Sequence, residues 1–152
     1  MRFEDWPRRL AAFVETMRGA KFDWGSFNCF HFPADAVLTM TGVDPLKPLR
    51  GAKYKTERGA IGALRRFLGP RSKGLSVDAI IESAARKLYA GFPEIGPLYA
   101  QRGDVCLVDA PVTEGRDGVA LGVCLGSRVA VLSSAGGIID VPITAVRRAW
   151  RV

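Results

Sequence analysis

The stretch Val119-Ala120-Leu121-Gly122-Val123-Cys124-Leu125 decides the fold. Its residues alternate between bulky and small. Successive side chains of a strand point to opposite sides, so Val119, Leu121, Val123 and Leu125 share one face, and Ala120, Gly122 and Cys124 share the other. Runs of the same period flank it, at 105–108 before it and at 128–132 and 138–141 after it. Gly126-Ser127 and Gly136-Gly137 suit hairpin turns, and residues 113–118 read as a polar turn. Sequential strands joined by short turns imply an antiparallel sheet.

Upstream the period becomes helical. Leu10, Phe13, Val14 and Met17 recur at helical spacing behind Asp5, an N-cap candidate, and Pro7, whose missing N–H costs little in a first turn. Gly19 closes that helix. A second helix starts near Asn28, a good N-cap, and runs to about Met40, with Ala34, Val37, Leu38 and Thr41 on its interior side. Pro33 falls in or just beyond its first turn, and Gly42 stops it. Residues 43–55, with Pro45, Pro48 and Gly51, read as an extended loop. Thr56 caps a third helix through Leu68, ended by Gly69-Pro70. Ser76 caps a fourth, with Ile80, Ile81, Ala84 and Leu88 facing inward. Residues 91–101 read as irregular. The expected architecture is α+β: N-terminal helices packed on a small antiparallel sheet, as one domain over residues 1–152. A chain of 152 residues is long enough for a real core.

Composition narrows the function classes. Hydrophobic residues are 48% and charged residues 24%, an ordinary globular balance. No apolar run is long enough to span a bilayer. Residues 1–9 are charged and lead into an amphipathic pattern, so no signal peptide is expected, and the chain is expected to be made in the cytoplasm. The three cysteines, Cys29, Cys106 and Cys124, form no Cys-x-x-Cys pair, and His31 is the single histidine. A zinc site is therefore poorly supplied; free thiols, no metal and no cofactor are expected. The net charge of +7, with a sequence pI of about 9.8, admits nucleic acid, anionic lipid or an acidic protein as partner. The basic residues are spread over 8–9, 47–58, 65–73 and 147–151, without a dense block. No zinc finger or aromatic RNA-binding strand is present. A solvated basic surface is the first reading, a basic face docked on an acidic neighbour the second, and sequence-specific nucleic-acid binding the third.

Cys29 is the residue best placed for chemistry. Directly after an N-cap, the helix dipole and free N–H groups favour a thiolate and lower the thiol pKa. A thiol nucleophile needs a base within hydrogen-bond reach; without one, a lone cysteine reads as a small buried hydrophobe. His31 lies two residues on, so on a helix its side chain points about 200° away. It could serve as base only in a non-helical leading turn, which Pro33 permits; its ordinary reading is a half-exposed histidine at a helix start. Asp104 reads as a strand-start carboxylate bonding local backbone. Trp6, Trp24 and Trp150 read as core or interface anchors. The glycine pairs are turns rather than a phosphate loop.

The string Phe22-Asp23-Trp24-Gly25-Ser26-Phe27-Asn28-Cys29 resembles the start of the catalytic helix in the NlpC/P60 superfamily of papain-like cysteine peptidases. There, Trp-Gly and a polar residue precede the nucleophile. Arg102-Gly103-Asp104-Val105-Cys106-Leu107-Val108 resembles that superfamily's Gly-Asp strand. Ala120-Leu121-Gly122-Val123-Cys124-Leu125-Gly126 is similar to its next strand, normally His-Val-Gly-Ile and two hydrophobic residues before Gly. The three matches keep the superfamily's order. The chain is also similar to a small subfamily found among phage and prophage tail genes. It shares the Trp-Gly…Cys start, an Arg50-Gly51 loop before a helix, the Ala-Leu-Gly-Val strand and the Ala149-Trp150-Arg151-Val152 ending.

The resemblance implies Cys29 as inherited nucleophile and places the base at Ala120, which cannot take a proton. The third polar residue falls on 128–134, where Ser133 and Ser134 are the only uncharged candidates. Asn28 stands where aspartate is common. The Cys29 helix is expected to pack on the small Ala120, Gly122, Cys124 face, with alanine keeping the packing and removing the chemistry. The implied function is a catalytically inactive structural or adaptor component of a phage or prophage tail tip or baseplate, and hence a virion protein. Its partners would be other tail proteins, reached through Arg-rich loops and residues 147–152. The alternative is an active cysteine peptidase or amidase cutting bacterial peptidoglycan during infection, with Cys29 as nucleophile. A second alternative is a basic nucleic-acid-binding accessory protein.

Overall fold

The computed structural model describes all residues except 26–27 and 114–115, without the side chains of 112–116. Four helices precede a six-stranded antiparallel sheet, an α+β arrangement with the helices at the N-terminal end. The helices are α1 (Trp6–Met17), α2 (His31–Thr41), α3 (Glu57–Leu68) and α4 (Val77–Leu88). Two carry the caps that the sequence predicts. Thr56 Oγ1 accepts the Gly59 N–H, and Ser76 Oγ accepts the Ala79 N–H, each satisfying a donor that the first turn leaves open. Asp5 makes no such bond; Arg8 and Arg9, one turn on, hold its carboxylate instead. Gly42 ends α2 with φ 76°, a left-handed conformation that favours glycine.

The strands are β1 (Glu94–Ile95), β2 (Val105–Thr113), β3 (Arg116–Cys124), β4 (Arg128–Leu132), β5 (Ile138–Pro142) and β6 (Val146–Trp150), in the order β1-β6-β2-β3-β4-β5. Three sequence expectations need correction. Residues 91–101 are not wholly irregular, because Glu94 and Ile95 pair with Trp150 and Ala149. The polar stretch 113–118 is mostly strand: Ala110 pairs with Gly118 and Pro111 with Asp117. Its turn at 114–115 lies outside the described residues. Polar composition there does not mean loss of pairing. Finally, residues 146–150, for which no strand is expected, form β6 and return to the sheet between β1 and β2.

A buried carboxylate accounts for that return. Asp104 is fully buried at the head of β2. It accepts from Arg2 at 2.7 Å, Arg151 at 3.0 Å, the Gln101 N–H at 2.9 Å and the Val152 N–H at 3.2 Å. It does bond local backbone as expected, but it also clasps both ends of the chain. A buried charge needs this many partners to offset its lost hydration. Trp150, one residue before the clasp, stacks on Tyr89 with ring centroids 5.6 Å apart.

The helices lie on the bulky face of β3. Ala34 and Val37 of α2 share a core with Val105, Leu107, Val119 and Leu121, and Phe32, Ala36 and Met40 pack with Val123. Each fully buried leucine there contributes roughly 1.5–3 kcal/mol. This overturns the expectation that the Cys29 helix packs on the small face. Ala120 and Cys124 belong to a separate core with Cys106, Val108 and Val131. That face is small because the sheet curls over it. A Cβ on Gly122 would collide with the Ala130 carbonyl and lie 2.8 Å from Val129 Cγ1. Among the described residues, no helix is long and apolar enough to cross a membrane.

Candidate functional site

The site begins in the turn that leads into α2. Asn28 organises it. Its Oδ1 accepts the N–H groups of Phe30 at 2.9 Å and His31 at 3.4 Å, and its carbonyl accepts the Phe32 N–H at 3.1 Å. Its Nδ2 donates to the Trp24 carbonyl at 2.8 Å and the Tyr54 hydroxyl at 3.0 Å. Asn28 therefore caps the turn, while the regular helix starts at His31, later than the sequence suggests. Gly25 is required by close approach: a Cβ there would lie 2.7 Å from the Tyr54 carbonyl oxygen. The Trp-Gly pair thus brings the chain against residue 54, and Asn28 locks the contact.

Cys29 sits in this turn, half-buried. It borders a cavity of about 50 Å³ walled chiefly by apolar side chains, among them Trp24, Phe30, Leu64, Val119 and Ala120. The polar walls are Asn28, Tyr54 and Glu57. Such a volume holds a few waters, whereas pockets for small molecules run from about 300 Å³ upward.

Burial pushes the Cys29 thiol up to about 12, with the Glu57 carboxylate adding to the rise. The expected helix-start activation is therefore absent, for a structural reason. The N–H groups of Phe30 and His31 bond the Asn28 side chain, and the Cys29 backbone N–H, which favours the thiolate, does not offset the burial. What remains around the sulfur is mostly apolar, and that disfavours the charged form. The Tyr54 hydroxyl is likewise raised, mainly by burial.

None of the expected partners supplies a base. Ala120 does border the cavity, but it has nothing to protonate. Ser133 lies in the turn after β4, where its N–H bonds the Gly137 carbonyl at 3.0 Å and its Oγ accepts the Ala135 N–H at 3.2 Å. Neither Ser133 nor Ser134 is among the described walls of the cavity, and neither is His31. His31 is 7% exposed, not half-exposed, and its Nδ1 is buried without a hydrogen-bond partner among the described residues. Burial first, then nearby Arg50, holds its pKa below the usual histidine value, against the opposing pull of Asp35, Asp44 and Asp23.

Arg50 explains the Arg-Gly loop. Its guanidinium joins Asp35 of α2 to Asp44 of the following loop, pinning residues 43–49 beside the cavity. Local sequence pattern carries no clear sign of this bridge, nor of Tyr54 and Glu57 as walls; the adjacent Thr56 cap marks the region. Cys106 and Cys124 are free thiols on the curled face. Their mutual interaction raises the Cys106 thiol and lowers that of Cys124, whose Sγ donates to the Gly126 carbonyl at 3.5 Å. Among the described residues, no cluster of His, Cys, Asp or Glu could hold a metal ion.

The C-terminal arginines are not the free docking charges that the sequence suggests. Arg147 pairs with Asp109 at 2.8 Å, Arg148 with Glu82 and Glu94, and Arg151 with Asp104. Sitting on or beside a central strand, they meet carboxylates from neighbouring elements.

No curated protein matches the chain. A family model described as "Domain of unknown function (DUF6950)" matches residues 1–152, and the chain belongs to that family.

Proposed function

We propose that this member of the DUF6950 family is a catalytically inactive NlpC/P60-like domain, serving as a structural or adaptor component of a phage or prophage tail tip or baseplate. One observation carries the inactive reading. The Cys29 sulfur faces a small apolar cavity whose described walls include no histidine. The carboxylate in the wall does not replace one. Its negative charge raises the Cys29 thiol rather than favouring the thiolate. The tail assignment rests on the sequence likeness: the Trp-Gly…Cys start, the Gly-Asp strand and the Ala-Leu-Gly-Val strand in superfamily order. In this reading the protein is made in the host cytoplasm and incorporated in the virion, with other tail proteins as partners.

Two assays separate the parts of the proposal. Incubation with purified peptidoglycan should release no muropeptides, and Cys29→Ala should behave as the unsubstituted protein. Release that is lost in Cys29→Ala would establish a cell-wall hydrolase instead. Mass spectrometry of particles purified from a strain carrying the gene should find the chain in the tail fraction. Its absence from intact particles, with the protein present in the lysate, would remove the structural role.

A further inference from the structure

The positive charge is concentrated in one segment. Residues 47–73 hold nine Lys or Arg and one acidic residue, Glu57. That segment nets +8, so the rest of the chain nets −1 against the overall +7. Pairing divides the same way. Outside the segment, Arg2, Arg9, Arg148 and Arg151 sit in ion pairs, whereas Arg102 donates to the Pro7 carbonyl. Inside it, Arg50 is paired, but Arg58, Arg66, Arg71 and Lys73 are exposed and make no ion pair with a described residue.

Part of this charge borders a groove whose lining includes Arg58 and Arg65 together with the Glu57 carboxylate. Arg58, Gly62, Arg65 and Arg66 are spaced i, i+4, i+7, i+8 on α3 and so share one face. Between that face and the start of α4 runs an open groove of about 490 Å³. Ile61 and Val77 give it apolar surface, and both are half-buried. Arg65 fixes its geometry, donating to the Ser72 and Leu75 carbonyls at 2.8 Å and 3.1 Å. Gly62 leaves the helix backbone uncovered; a Cβ there would meet only the Arg66 guanidinium, at 3.6 Å.

We propose that this groove is a docking site for an acidic, amphipathic segment of another protein. Its apolar side chains seat on Ile61 and Val77, and its carboxylates meet Arg58 in the groove and Arg66, which lies beyond the groove lining on the same helix face. Charge complementarity selects an acidic partner. The apolar surface and the glycine notch select a polypeptide, because a sugar-phosphate backbone is gripped through its charge and gains little from Ile61 and Val77. Gly62 lets a partner backbone approach closely. The inference rests on charge placement and groove shape alone, and it stands or falls separately from the tail reading.

The test is fluorescence anisotropy on the full chain at physiological salt. The probes are a labelled Glu/Leu amphipathic peptide, poly-L-glutamate of equal charge, duplex DNA and phosphatidylglycerol vesicles. The Glu/Leu peptide should bind tightest. The double variant Arg58→Glu, Arg66→Glu should weaken it by about tenfold or more. Gly62→Glu should do the same, and it suits a helix better than glycine, so it keeps the fold. Ile61→Ser should weaken the peptide but not poly-L-glutamate. The proposal is overturned if the peptide fails to bind, if Gly62→Glu binds it unchanged, or if poly-L-glutamate, DNA or vesicles bind as tightly as the peptide.

Discussion

Asp104 and Cys29 are both polar groups withdrawn from water, and they are treated in opposite ways. Asp104 is fully buried, and two guanidinium groups and two backbone N–H groups surround its carboxylate. Cys29 is half-buried against mostly apolar walls, and the Asn28 side chain takes the N–H groups of Phe30 and His31. The first arrangement stabilises a charge; the second suppresses one. Both lie in stretches that resemble superfamily motifs. Asp104 ties the two chain ends to β2, whereas the Cys29 thiol is held protonated at neutral pH.

The largest effect should come from breaking the clasp. Asp104→Ala leaves Arg2 and Arg151 without their carboxylate and should cost about 3–5 kcal/mol in denaturant unfolding. A loss below about 1 kcal/mol, the scale of an exposed pair, would mean that the termini are held by other contacts. Cys29→Ala removes only a small thiol beside a cavity and should cost about 1 kcal/mol at neutral pH.

The same variant should change the alkaline limb of stability. A thiol ordinarily near 9 is held at about 12 in the folded protein. The folded state thus keeps a proton that the unfolded chain releases, and stability falls as pH rises between those values. Cys29→Ala should flatten that fall, with Tyr54 and Tyr89, also raised by burial, supplying what remains. An unchanged alkaline limb in Cys29→Ala would show that the thiol is not desolvated.

His31 gives the smallest and opposite effect. Its folded pKa lies below 6.5, so the unfolded chain binds the proton first and stability falls as pH drops below that value. His31→Gln should reduce this acid slope by less than one proton, under about 1.4 kcal/mol per pH unit. An identical slope in the variant would place the titrating group elsewhere.

These contrasts also mark what was legible in the sequence. Thr56 and Ser76 announce their helices because a capping side chain acts within three residues. Strand β4 is readable because the apolar run after Arg128 is short, rich in valine and preceded by the Gly126-Ser127 turn. Strand β6 is not, because the register shifts between Leu107 and Val108 along its pairing, and its adjacent arginines look like surface. Alternation in β3 shows that its faces differ but not which face the helices cover; the curl of β4 over Gly122 decides that. The Asp104 clasp joins residues about a hundred positions apart, and local pattern carries no trace of such a contact. At the candidate site, Cys29 and the missing base were visible as residue types. The raised thiol was not, because it depends on burial by side chains far along the chain, among them Leu64 and Val119.

The central claim is that Cys29 marks the fold and does not act as a nucleophile. It is tested most directly by the pH dependence of Cys29 alkylation in the native protein, with mass-spectrometric peptide mapping to assign label among Cys29, Cys106 and Cys124. The account predicts slow labelling at neutral pH that climbs with each added pH unit, without a plateau below about 11. A labelling rate that is already at its plateau near neutral pH would reveal a stabilised thiolate and contradict the account.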